Sequence, residues 1–152
     1  MTQMTIGRLS KEAGVKVTTI RYYESIDLMG EPDRSSSGQR LYGDEAVQRL
    51  SFIRHARDLG FPIDSIRELI DLQHKPGEDC AHVDVIARRQ LAGVRQKLSQ
   101  LEALEAELKR MVSACAGGSI ATCKVLESLG DHAHCLDAHD AGLISTQIGA
   151  KL

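Results

Sequence analysis

From about His82 to Val112 the chain repeats an apolar residue at alternating steps of four and three: Ala87, Leu91, Val94, Leu98 and Leu101. That spacing is a coiled-coil seam. A helix of about 30 residues is roughly 45 Å long, more than one small domain can cover. The seam therefore predicts a second helix alongside, and with it a dimer. Beyond Leu101 the register loosens: Glu105 falls in step, while the neighbouring Leu104 and Leu108 are apolar. The competing reading is an amphipathic helix packed on its own domain, and the length of the helix weighs against it.

The rest of the 152 residues suits one or two small domains. Apolar residues make up 42% of the chain but aromatics only 3%, so the core is built from Leu, Ile, Val and Ala, which leans toward helices. Before the seam, short helical patterns alternate with turn signals. Thr5 is placed to cap a helix carrying Ile6, Leu9 and Ala13. Gly14-Val15-Lys16 makes a tight turn, and a helical period resumes from Val17 to Ile26. Helix, short Gly-containing turn and helix form a helix-turn-helix outline. The stretch from Glu31 to Gln39, rich in Pro, Asp, Ser and Gly, reads as a hairpin or wing. Asp44 to Leu59 is helical and ends at Gly60, and Ile63 to Leu72 is a second short helix with Pro62 in its first turn. After the seam come a loop at Ala116-Gly117-Gly118-Ser119 and a short helix from Cys123 to Leu129. The expected divisions are 1–75, 76–113, 114–130 and a mobile tail over 131–152.

Charge permits nucleic-acid binding by the N-terminal part without proving it. Residues 1–57 hold nine Lys/Arg against seven Asp/Glu, and residues 76–152 hold eight against ten, although the whole chain is at −2. On a helix through Val17-Thr18-Thr19-Ile20-Arg21-Tyr22-Tyr23-Glu24, the side chains of Thr18, Arg21 and Tyr22 share one face, while Ile20 and Tyr23 point elsewhere, toward a core. Short polar groups with Arg and Tyr suit phosphate and groove contacts. A generic amphipathic helix would show the same face.

Thr5-Ile6-Gly7, Ala13-Gly14-Val15 and Thr19-Ile20-Arg21-Tyr22-Tyr23-Glu24 together resemble the N-terminal signature of the MerR family of transcription regulators. The match continues through Pro32, Arg34, Arg40-Leu41-Tyr42, Leu50-Ser51-Phe52-Ile53-Arg54 and Leu59-Gly60-Phe61 to Ile66, and covers residues 4 to about 130. The resemblance implies an all-α fold with a small β wing: a winged helix-turn-helix, a long antiparallel coiled-coil dimerisation helix, and a C-terminal metal-binding loop. By analogy Val17–Ile26, with Thr18, Thr19, Arg21 and Tyr22, enters the major groove of double-stranded promoter DNA. Arg34, Arg40 and Tyr42 sit in or beside the wing, and Arg54 and Arg57 lie near the DNA backbone. Pro62 departs from the family, which more often has a polar cap there.

Cys80 precedes the long helix and Cys115 follows it, 35 residues later, which places them on the order of 50 Å apart in one subunit. In an antiparallel pair the start of one helix meets the end of the other, so Cys80 would approach Cys115 and Cys123 of the partner chain. Singly, each cysteine reads as a small buried hydrophobe. Thiolates favour soft metals, and Gly117 and Gly118 let the loop between Cys115 and Cys123 fold tightly. The sequence is similar here to the metal-sensing branch of the family, in which paired loop cysteines bind metal. In that branch Cys before the dimerisation helix goes with +2 ions, and Ser there with copper(I). Cys80 thus points to Zn, Cd, Pb or Hg. Zinc sensors of the branch usually carry adjacent loop cysteines and a loop His; here Ala114 precedes Cys115 and residues 116–122 hold no His. His82, His132, His134 and Cys135 are weaker ligand candidates.

The resemblance implies a regulator that activates metal resistance or efflux genes. It distorts the promoter when metal binds, which realigns the elements read by RNA polymerase. The alternatives within the family are a Cu(I)-type or a redox-responsive regulator. An enzyme is not expected, since no HExxH pattern or acid/base pair accompanies the cysteines. The chain shows no signal peptide and no apolar run of the roughly 18 residues a bilayer requires, so a cytoplasmic protein without membrane contact is expected. In a reducing cytosol the four cysteines are expected as ligands, sensors or buried thiols rather than disulfides.

Overall fold

A computed structural model describes residues 2–115 and 117–130 of the protein. Its elements are α1 (Ile6–Ala13), α2 (Val17–Ser25), β1 (Asp33–Arg34), β2 (Arg40–Leu41), α3 (Asp44–Asp58), α4 (Ile63–Gln73), α5 (Ala81–Ala114) and α6 (Lys124–Gly130), with a 3₁₀ turn at Ile120–Thr122. This is the expected helical chain with a small antiparallel wing and a long helix after it. The tail expected over 131–152, with His132, His134 and Cys135, lies outside the described residues.

The chain divides into two compact units, one ending at Gln90 and one beginning at Leu91. In the first unit each helix contributes one apolar stripe. Leu9 of α1, Ile20 of α2, Leu50 and Ile53 of α3 and Ile66 of α4 are fully buried, joined by Leu28 from the loop after α2. Burying a side chain of this size contributes roughly 1.5–3 kcal/mol. Two arginines hold the loop that follows α2. Arg67 donates to the carbonyls of Ile26 (2.6 Å) and Asp27 (3.3 Å), and Arg49 donates to that of Leu28 (3.3 Å). The Ile26 carbonyl is at the C-cap of α2, where a helix leaves acceptors without internal partners, and Asp27 in this loop has a left-handed φ of 56°.

Helix boundaries differ from expectation in small ways. Thr5 occupies the N-cap of α1 with extended backbone, but its hydroxyl makes no capping bond. Pro62 is the N-cap of α4 rather than a first-turn residue, and its carbonyl accepts from the Ile66 amide at 3.0 Å. The wing pairs Asp33 with Leu41 and Arg34 with Arg40. Met4 and Tyr42 exchange two backbone hydrogen bonds (2.8 and 2.9 Å), which ties the N-terminal segment to the base of the wing.

The first turns of α5 belong to the first unit, where Ile86 is buried and the Gln90 amide donates to the Leu59 carbonyl at 3.0 Å. In the second unit α5 continues with Leu91, Val94, Leu98 and Leu101 exposed, while Glu107 and Met111 are buried. Glu107 pairs with Arg110 one turn along. No helix among the described residues is long and apolar enough to cross a membrane.

Candidate nucleic-acid interface and metal-ligand positions

The turn between α1 and α2 depends on Gly14. Its φ of 65° is left-handed, and its amide bonds back to the Ser10 carbonyl. A Cβ built there would stand 2.1 Å from Nη1 of Arg54, which itself donates to the Ala13 carbonyl at 3.2 Å. Only glycine accepts both the conformation and the guanidinium lying across it. Gly14→Ala should destabilise the protein by about 1–2 kcal/mol from backbone strain alone, seen as a lower urea midpoint with an unchanged slope. An unaltered midpoint would show that the turn relaxes freely.

Beyond that turn, α2 presents its sides as the spacing predicts. Thr18, Arg21 and Tyr22 are exposed, Thr19 is half-buried, and Ile20 and Tyr23 are buried. Burial pushes the Tyr23 hydroxyl above its usual range, and nearby Arg57 partly opposes this. A cleft of about 480 Å³ opens between α2 and the wing, lined in part by Arg21, Arg34 and Arg40 together with Glu24. Arg34 is exposed and uses one nitrogen to bond the Gly38 carbonyl at 3.1 Å. Arg40 stands 3.4 Å from Glu24. Arg54 and Arg57 are exposed, and each spends one nitrogen on a backbone carbonyl, of Ala13 and Phe61 respectively. A guanidinium has five N–H donors, so each of these three retains capacity for phosphate.

Tyr42, expected among the DNA-contacting residues, is instead part of the core, with 3% of its surface exposed. Pairing with Met4 turns it inward, and its hydroxyl donates to Glu24 of α2. Burial first, then the bond to Glu24, push that hydroxyl well above the ordinary tyrosine range, so it stays a donor. Its contribution is to fix α2 against the wing. Glu24, absent from the expected site, is the hub: it accepts from Tyr42 and faces Arg40. A lone carboxylate at the end of a motif whose other charged residue is Arg21 was the available signal.

Cys80, Cys115 and Cys123 are all free thiols. Cys80 is exposed just before α5, and its carbonyl accepts from the Asp84 amide (3.0 Å), which starts the helix. Cys115 is exposed just after α5, and Cys123 is half-buried between the 3₁₀ turn and α6. Between these two, Gly117 (φ 77°) and Gly118 (φ 106°) take conformations other residues avoid, and the Thr122 amide bonds the Ser119 carbonyl. His82 is exposed, with Nδ1 3.5 Å from Glu78. Among the described residues, no three His, Cys, Asp or Glu side chains gather within one chain in a way that could hold a metal ion.

Two family descriptions match the chain: MerR HTH family regulatory protein over residues 4–73, and MerR, DNA binding over residues 47–111. The chain is similar to the HTH-type transcriptional regulator ZntR of Escherichia coli (strain K12), with 39% identity over 127 residues, covering 82% of this chain and 90% of that one. It is equally similar to the mercuric resistance operon regulatory protein of Pseudomonas fluorescens, 39% identical over 127 residues and covering 83% and 87%. Among solved structures it resembles the transcription regulator PbrR691 from Ralstonia metallidurans CH34 in complex with lead(II). That likeness has a TM-score of 0.73 and 40% identity, and covers 83% of this chain and 98% of the other.

Proposed function

Because the chain belongs to the MerR family of DNA-binding transcription regulators, we propose that it binds promoter DNA as a homodimer and activates transcription when a soft divalent ion, Zn, Cd, Pb or Hg, joins Cys80, Cys115 and Cys123. The observation that carries this reading is the placement of three free thiols around one helix: Cys80 at its start, Cys115 at its end, and Cys123 beyond the glycine loop. The 34 residues of α5 measure on the order of 50 Å, so two antiparallel copies bring the start of one beside the end of the other. Each end of the dimer then offers three thiolates, two from one chain and one from its partner. Such a donor set fits a soft ion. A lead(II) complex of a 40%-identical regulator and a mercuric-resistance relative at 39% support the same ion class.

On the DNA side Thr18, Thr19, Arg21 and Tyr22 read the major groove, Arg34 and Arg40 hold the strand beside the wing, and Arg54 and Arg57 reach the backbone. Tyr42 acts from within, through Glu24. The metal-loaded dimer bends and untwists the duplex, a deformation within reach of binding energy, and so realigns the promoter for RNA polymerase. The regulated genes are those for metal resistance or efflux. The switch requires the ion to bind the two dimer states differently.

Titrating Zn, Cd, Pb and Hg, with Cu(I) for comparison, in a promoter transcription assay tests this. One or more of the divalent ions should raise transcription above the metal-free level; silence with all four would sink the reading. Arg21→Ala should weaken operator binding and reduce the salt slope by about 1, with metal affinity unchanged. Unaltered affinity and slope would mean that α2 is not the helix in the groove.

A further inference from the structure

The DNA-binding helices end at a turn that α5 holds directly. Leu59 closes α3, and its carbonyl is one of those a helix leaves without an internal partner. The side-chain amide of Gln90 fills that role at 3.0 Å, across 31 residues of sequence. The next residue, Gly60, has a φ of 84°, and a Cβ there would stand 2.7 Å from Nε2 of Gln90. The same turn is held from the other side. Arg57 of α3 donates to the Phe61 carbonyl (3.0 Å), and the Phe61 amide donates to that of Ala56 (3.0 Å). Residues 59–61 are thus a small piece of backbone gripped by an arginine of the proposed DNA face and by an amide of α5.

Cys80 stands one residue before α5 and Gln90 ten residues after Cys80 on that helix, with buried Ile86 between them. That span is about 15 Å of helix, stiff enough to carry a shift at its start to its third turn.

We infer that Gln90 is the positioning residue through which a metal bound at Cys80 acts on the DNA-binding helices, by making or altering its hydrogen bond to the end of α3. This rests on the reading of Cys80 as a metal ligand. Coupling between two sites demands a contact with two arrangements, and the bond from Gln90 to Leu59 is the contact proposed for that role. Arg57 sits on the same turn, so a change at Leu59 reaches a side chain proposed to meet phosphate.

Gln90→Met removes the donor and keeps the length and helical preference, whereas Gln90→Lys keeps a donor able to reach the carbonyl. Both full-length variants and the unmutated protein are compared on promoter DNA with Zn(II), Cd(II), Pb(II) and Hg(II) in turn. Metal affinity, metal-free operator affinity and metal-induced transcription are measured. Gln90→Met should match the unmutated protein within about 3-fold in both affinities and lose about 10-fold or more of the induction, in the range of site-to-site coupling. Gln90→Lys should recover most of the induction. Full induction by Gln90→Met, or no recovery by Gln90→Lys, overturns the inference. So does loss of metal-free operator binding by Gln90→Met, which would make the bond a fold contact only. If the unmutated protein answers none of the four ions, the metal reading itself has failed and the inference falls with it.

Discussion

Leu91→Glu with Leu98→Glu should leave the protein monomeric and unable to hold its operator. In a single chain Leu91 is 46% and Leu98 53% exposed, and Val94 and Leu101 lie on the same stripe of α5. Taking an exposed Leu to full burial contributes roughly 1.5–3 kcal/mol, and only about half of each side chain is left for a partner to cover, so losing two from each of two chains removes about 3–6 kcal/mol. A nanomolar dimer has only about 12 kcal/mol to lose, and the new carboxylates would repel one another besides. Sedimentation velocity at low micromolar concentration should show the monomer, while circular dichroism should still report the helices of the first unit, whose core is independent of the stripe. If the unmutated protein sediments as a monomer, the stripe covers something other than a second copy and the shared thiol site has no basis.

The other large effect is expected at the thiols. Cys80→Ser, Cys115→Ser and Cys123→Ser should each weaken divalent-metal binding by more than about 100-fold, since disturbing a residue that merely supports a ligand already costs about 10–100-fold. Operator binding without metal should persist, because the exposed face of α2 shares no residue with these positions. Cys80→Ser leaves the loop pair intact, so any response to Cu(I) should fall less than the divalent response. A mixed dimer tests the sharing directly. Pairing a Cys80→Ser chain with a Cys115→Ser/Cys123→Ser chain leaves one end with all three thiolates and the other with none. Half the metal should then bind with unmutated affinity. If none binds so tightly, the ligands do not come from two chains.

Much of this was legible along the chain because it is set by neighbours in sequence. The four-three alternation from Ala87 to Leu101 announced one long helix, and α5 runs from Ala81 to Ala114. The three-four spacing in α2 separated exposed Thr18, Arg21 and Tyr22 from buried Ile20 and Tyr23. Gly14, Gly38 and Gly60 marked chain reversals and carry positive φ. Tyr42 shows where such reading stops. Beside Arg40 and Leu41 it looked like a wing residue facing outward. Successive strand residues face opposite ways, and which way Tyr42 faces was settled by Met4, 38 positions earlier.

The amino-acid sequence by itself determined where helices begin and end, which side of each is apolar and where the cysteines stand relative to α5, because those depend on backbone preferences and periodicity within a few residues. Only the tertiary structure decided which polar groups meet. Arg67 reaching Ile26, Tyr42 reaching Glu24 and Gln90 reaching Leu59 join residues 41, 18 and 31 positions apart. Nothing local distinguishes these arginine, tyrosine and glutamine side chains from solvated ones. Their partners are carbonyls and a carboxylate left unsatisfied where helices stop or strands turn, and packing alone brings a donor within 3 Å or so of each.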